Sequence, residues 1–235
     1  MRIGGIGLNR EWGRNATDRS RGQARGGQPF LPGLAWSSGC PVTPLIAKAV
    51  FLAGIVAWFV IRYPFQRRAK RLGVARSAGG TRDRVLLIIA AAGQFFIPAL
   101  YAISGQPSFA DYAFSPVRAW FGAVALAAAL VLFRVTHKQL GRNWSISLET
   151  RDQHKLVTGG LYGYVRHPMY SSFILSAVAQ LLLLQNWIAG PIGLVAIGIL
   201  FFLRVPREEQ VMIETFGDEY RDYMRRTARI VPWVY

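Results

Sequence analysis

The chain has 235 residues, and only 17% of them are charged, against about 25% in soluble domains, while 52% are hydrophobic. A single cysteine, Cys40, excludes an internal disulfide framework. The net charge of +16 would suit nucleic acid, but the basic residues gather in an N-terminal arm and beside long apolar runs, which is the loop bias of a membrane protein.

Residues 1–43 are rich in Gly and Arg and show no sustained periodicity, the pattern of a disordered arm. Apolar spans follow at Leu45–Ile61, with Lys48 placed to snorkel, at Val85–Ala110, and at Val117–Phe133, with Arg118 at its edge. From Pro168 to Leu203 there are 36 positions without Asp, Glu, Lys or Arg. As one helix that run would measure about 54 Å, against a hydrocarbon core of about 30 Å. It must therefore fold back, and Gln185-Asn186 with Gly190-Pro191 mark the turn of a helical hairpin. Backbone groups in lipid need internal partners, so the spans are helices. The expected fold is an all-α integral membrane protein of about five transmembrane helices ending in that hairpin. The arm (1–43) precedes N-terminal membrane helices (44–114) and a C-terminal core (115–235).

The loop 62–84 holds eight Lys or Arg residues, 105–116 holds none, and 134–167 and the C-terminal segment are basic again. This alternation puts 62–84, 134–167 and the C-terminus in the cytoplasm. From Pro206 to about Thr227 the chain reads as an amphipathic interfacial helix. Val211, Met212, Phe216, Tyr220 and Tyr223 recur at helical spacing, Pro206 suits a first turn, and Gly217 is a mild interruption.

Two polar patches bracket the long apolar run, and the hairpin returns both to one face. The first holds Thr158-Gly159-Gly160, a turn that allows close backbone approach, followed by Tyr162, Tyr164, Arg166, His167 and Tyr170 around the N-terminus that Pro168 starts. The second holds Arg204 and, four residues on, Glu208, placed to share a helix face. A carboxylate there suits ribose hydroxyls or a cation, and a guanidinium suits a bidentate carboxylate. Glu209 points elsewhere and is the weaker candidate.

The string His154-x-Leu156-Val157-Thr158-x-Gly160-x-Tyr162, then Arg166-His167-Pro168-x-Tyr170, then Arg204, Glu208-Glu209 and Phe216-Gly217-x-Glu219-Tyr220 resembles the isoprenylcysteine carboxyl methyltransferase family. Related phospholipid methyltransferases share part of it. The resemblance covers roughly residues 115–235. It implies S-adenosyl-L-methionine held in a cytoplasmic pocket by His154, Lys155, Leu156, Val157, Tyr162, His167, Pro168, Met169, Tyr170 and Glu208. It implies Arg204 as the catalytic, acceptor-binding arginine, with Arg134 near the place of a second acceptor-binding arginine, one position out of step with Asn143-Trp144. The implied partner is a lipid-like or prenylated acid entering from the bilayer, with no metal and no nucleic acid.

A C-terminal carboxylate, of reference pKa about 3.3–3.7, is ionised at neutral pH. Its O-methylation needs placement and desolvation rather than a general base. An amine or thiol acceptor, as in a phospholipid N-methyltransferase or a small-thiol S-methyltransferase, would make a base such as His167 useful. A non-catalytic membrane scaffold is the third expectation.

Overall fold

The computed structural model describes residues 42–71, 76–77, 80–141, 149–150 and 156–232. The N-terminal arm, Asn143-Trp144, His154 and Lys155 lie outside these described residues.

Helix α1 (Pro44–Arg71) starts on Thr43, whose Oγ1 accepts the Ile46 N–H at 3.3 Å. Helix α2 (Thr81–Ala91) passes through a π-helical turn (Ala92–Phe96) into α3 (Ile97–Ser104). Helix α4 (Pro116–Leu140) is capped by Ser115, which accepts the Arg118 N–H at 3.4 Å, with Pro116 in the first turn. Arg76–Ser77 and Glu149–Thr150 form a two-residue antiparallel pair, β1 and β2. Then come α5 (Pro168–Leu183), α6 (Ile192–Phe216) and the short α7 (Asp218–Arg226).

Among the described residues, three stretches are long and apolar enough to cross a membrane: Pro44–Arg68, Thr81–Ser104 and Pro116–Leu140. Helix α5 is a shorter apolar helix. Large side chains such as Phe59, Phe96, Leu100, Phe121 and Val124 are exposed on these helices, as expected of surfaces that meet acyl chains rather than water.

Two buried clusters hold the helices together. Ala47, Phe51, Tyr101, Ala119, Leu126, Ala179 and Leu183 join α1, α3, α4 and α5. Leu86, Ala90, Tyr170, Ile197, Leu200, Phe201 and Val205 join α2, α5 and α6. The π-helical turn packs against α6 so closely that a Cβ on Gly93 would meet the Ala196 Cβ at 2.5 Å and the Ile192 carbonyl oxygen at 2.9 Å. The Gly93 carbonyl accepts from Gln180 Nε2 at 3.2 Å, and the same amide nitrogen donates to the Ala189 carbonyl at 2.7 Å. A buried amide thus satisfies backbone acceptors where the helical ladder is interrupted.

The turn expected near Gln185-Asn186 lies between α5 and α6. Asn186 Oδ1 accepts the N–H groups of Ile188 and Ala189 at 2.9 and 2.8 Å, and its Nδ2 donates to the Pro107 carbonyl and Asp111 Oδ1, both at 2.8 Å. Gln185 exchanges hydrogen bonds with the Ser115 backbone. These contacts tie the turn to the loop before α4 at one end of the bundle. The arginine-rich helix ends lie at the other end.

The C-terminal segment differs from expectation in two respects. Pro206 does not begin a helix; it lies inside α6, which runs unbroken for 25 residues from Ile192 to Phe216. Proline removes the bond to the carbonyl four residues earlier, that of Phe202, but does not end a helix whose packed face continues across it. That face is continuous: Ile197, Leu200, Phe201, Arg204, Val205 and Glu209 are all buried, while Pro206 is exposed. The break comes at Gly217, where φ is +58° and α6 gives way to α7. Gly217 is a true boundary rather than a mild interruption.

Candidate functional site

The candidate site forms where the starts of α2 and α5 meet the latter half of α6, beneath the segment that follows α7. Arg204 and Glu208 are one helical turn apart on α6, and their side chains meet, Arg204 Nε lying 2.9 Å from Glu208 Oε1. Tyr170, in the first turn of α5, donates its hydroxyl to the same Glu208 oxygen at 3.0 Å. From the other side, Asp83 in the first turn of α2 brings Oδ1 to 3.1 Å from Arg204 Nε. Arg204 and Asp83 are both 7% exposed, so theirs is a desolvated ion pair rather than a solvated surface pair, with Glu208 on the more open side.

Successive residues on a helix are rotated by about 100°, so Glu209 faces away from Glu208. It serves a second cluster. Glu209 accepts from Arg166 Nε at 3.1 Å and from Arg229 Nη2 at 2.9 Å, and His167 Nε2 lies 3.3 Å away. Arg166 also donates to the Met224 carbonyl at 2.9 Å and to the Thr227 carbonyl, which closes the end of α7. His167 stands between the clusters, with Nδ1 3.7 Å from Glu208 Oε2.

A backbone strap locks these elements together. Residues 165 and 228 form a parallel bridge, the Arg166 N–H donates to the Ala228 carbonyl at 2.8 Å, and the His167 N–H to the Arg229 carbonyl at 2.9 Å. Ser171 Oγ donates to the Ile230 carbonyl at 2.7 Å.

The glycine-rich turn ahead of these residues is also fixed. Gly160 has φ of +64°, and a Cβ there would fall 2.4 Å from Gln139 Nε2, while Gln139 Oε1 accepts the Leu161 N–H at 2.9 Å. Gly160→Ala is therefore expected to destabilise the fold by about 1–3 kcal/mol, combining left-handed strain with displacement of that amide. Thermal unfolding of the detergent-solubilised protein reads this out, and an unchanged midpoint would refute it. Tyr162, next but one, is buried; burial pushes its phenol up, so it stays protonated at neutral pH. Its carbonyl accepts the Tyr223 hydroxyl at 2.6 Å.

Of the residues picked out from sequence, His167, Tyr170, Arg204 and Glu208 come together here, with Pro168 and Met169 between the first two along the chain. Leu156 and Val157 are half-buried ahead of the glycine turn, and His154 and Lys155 lie outside the described residues. Arg134 is exposed on α4. Arg166, expected as a ligand donor, is committed to Glu209 and to the end of α7. Sequence reasoning missed Asp83. Its signal was slight: one acid between Arg82 and Arg84 at the start of an apolar run. It also missed Arg229 and the strap.

A family model described as the isoprenylcysteine carboxyl methyltransferase (ICMT) family matches residues 120–214. A protein-S-isoprenylcysteine O-methyltransferase of Dictyostelium discoideum is 30% identical over 122 residues, 49% of this chain and 50% of its own. Protein-S-isoprenylcysteine O-methyltransferase B of Arabidopsis thaliana is 32% identical over 116 residues, 48% of this chain and 59% of its own. The chain thus matches half to three fifths of the length of these relatives. A solved eukaryotic intramembrane Ras methyltransferase, ICMT, shares the fold with a TM-score of 0.55 at 19% identity, over 83% of this chain and 69% of that one. With its apolar helices, these matches make this an integral membrane protein.

Proposed function

We propose that this chain, whose residues 120–214 match the isoprenylcysteine carboxyl methyltransferase family model, transfers a methyl group from S-adenosyl-L-methionine to the carboxylate of an isoprenylcysteine-like acid. The observation that carries this reading is the joining of Tyr170, Glu208 and Arg204 at the polar end of membrane helices, within the family segment. In this reading residues 44–114 supply the N-terminal membrane helices and 115–235 the methyltransferase core. Helix α5 and the first half of α6 complete five spans as a hairpin. The arginine-rich end, with the site, faces the cytoplasm.

The residues present fit such a donor. Of the adjacent carboxylates, Glu208 has the more accessible side chain, 20% exposed against 5% for Glu209, and is the better placed to accept from ribose hydroxyls as well. When bound, the cofactor supplies an electrophilic methyl group on a cationic sulfur. His167, Met169 and Tyr170 would line its pocket beside Glu208, with Tyr162 and the Leu156-Val157 segment ahead of the glycine turn and His154 and Lys155 preceding that segment. Arg204 orients the acceptor carboxylate, and Arg134 is the second candidate for that task. Because the acceptor is already ionised, no side chain has to remove a proton, and the two clusters contribute placement and exclusion of water.

Purified protein in detergent should bind S-adenosylhomocysteine and transfer labelled methyl to N-acetyl-S-farnesylcysteine as a base-labile ester. Glu208→Ala and Tyr170→Ala are each expected to weaken cofactor binding by about tenfold or more, the scale of a lost charge-assisted hydrogen bond. Unaltered binding in both variants would sink the site assignment. Binding without ester formation would sink the acceptor.

A further inference from the structure

Arg204 is not held by the family segment alone. Asp83, from an N-terminal helix outside residues 120–214, places a second carboxylate against the guanidinium that Glu208 already engages. Arg204 and Asp83 are shielded from water and Glu208 is partly so, so the attraction between Asp83 and Arg204 acts at short range with little screening. Two acids on one base reduce the positive charge that the base offers an incoming anion. Asp83 is also flanked by the exposed Arg82 and Arg84, while Arg207 is exposed one turn beyond Arg204. The rim is thus positive and the floor beside the acceptor arginine is negative.

Building on the methyltransferase reading, we infer that Asp83 is a specificity-determining residue that sets the charge preference of the acceptor pocket. A lone arginine at a membrane surface would capture any anionic headgroup that reached it. Asp83 weakens that capture, so an acid is retained only when its apolar tail adds binding, and the uncharged ester product leaves readily. Asp83 acts through Arg204 and touches no reacting atom.

The test compares Asp83→Asn with the unaltered protein, using the acid N-acetyl-S-farnesylcysteine as substrate and the amine S-farnesylcysteamine as a competing cation. Removing one buried negative charge near the pocket should lower KM for the acid about tenfold and raise the Ki of the amine about tenfold. Opposite movements are the signature, because a merely structural role would weaken both ligands together. Parallel weakening, or no change in either constant, overturns the inference. If Asp83→Asn does not fold, Asp83→Glu keeps the charge and must keep the acid-to-amine ratio; a lost ratio there overturns it equally. If the unaltered protein fails to methylate the acid, the methyltransferase reading falls instead, so the two failures are distinguishable.

Discussion

Glu209→Gln is expected to lower the stability of the folded protein by about 3–5 kcal/mol, the usual effect of removing one partner from a buried ion pair. Glu209 is 4% exposed and joins Arg166, Arg229 and His167 across three separate parts of the chain. Glutamine preserves the shape but leaves Arg166 facing a neutral amide. Burial by itself would raise the Glu209 pKa. The hydrogen bonds from His167 and Arg229, with the attraction of His167 and Arg166, outweigh it and bring the group from its ordinary 4.5 down to about 2. A carboxyl depressed in the folded state stabilises fully above its unfolded pKa and loses that contribution as pH falls through the folded value. The contribution of Glu209 is therefore present at pH 7 and lost between about pH 4.5 and 2. Unfolding of detergent-solubilised protein at pH 7 and at pH 3 measures both effects. The wild type should lose its margin over Glu209→Gln on acidification; a constant margin, or none at pH 7, contradicts the assignment.

Arg204→Gln should reduce kcat/KM for a carboxylate acceptor by about 10²–10³, the scale of deleting one preorganised donor to reacting charge. The substitution also brings the Asp83 and Glu208 carboxylates together without the cation between them. Thermal stability measured in parallel separates lost chemistry from lost fold. Arg204→Lys keeps the charge but not the planar fork, and should fall between wild type and glutamine. Initial rates at varied acceptor concentration decide the matter: a kcat/KM for Arg204→Gln within about threefold of wild type removes Arg204 from the site.

Much of this was legible in the sequence because membrane helices are written in uninterrupted apolar length. The run beginning at Pro168 was too long for a single crossing, which required a turn, and Gln185-Asn186 with Gly190-Pro191 gave its place. The Arg204–Glu208 contact was likewise readable, since four-residue spacing places both side chains on one face. Pro206 misled because proline is equally at home in a first turn and in a helix held by packing on its far side. Only the burial of Val205 and Glu209 on one stripe separates the two cases. Asp83 escaped notice because its partner is remote in sequence, and a lone acid among arginines reads as a loop charge. The strap at 228–230 has neither length nor periodicity to announce it, being made of backbone bonds to residues about sixty positions upstream.

That strap also fixes an order of events during synthesis. Arg166 and His167 leave the ribosome well before Ala228 and Arg229, with the whole of α5, α6 and α7 made in between. Until the later residues arrive, Arg166 lacks the carbonyls and the carboxylate that neutralise it, and the loop ahead of α5 has no strand to lie against. The membrane helices can insert as they emerge, but the polar end must wait for the last stretch of chain. Assembly of this polar cluster is thus a post-translational step, and a nascent chain stalled before residue 228 would be embedded in the bilayer with its polar end unformed.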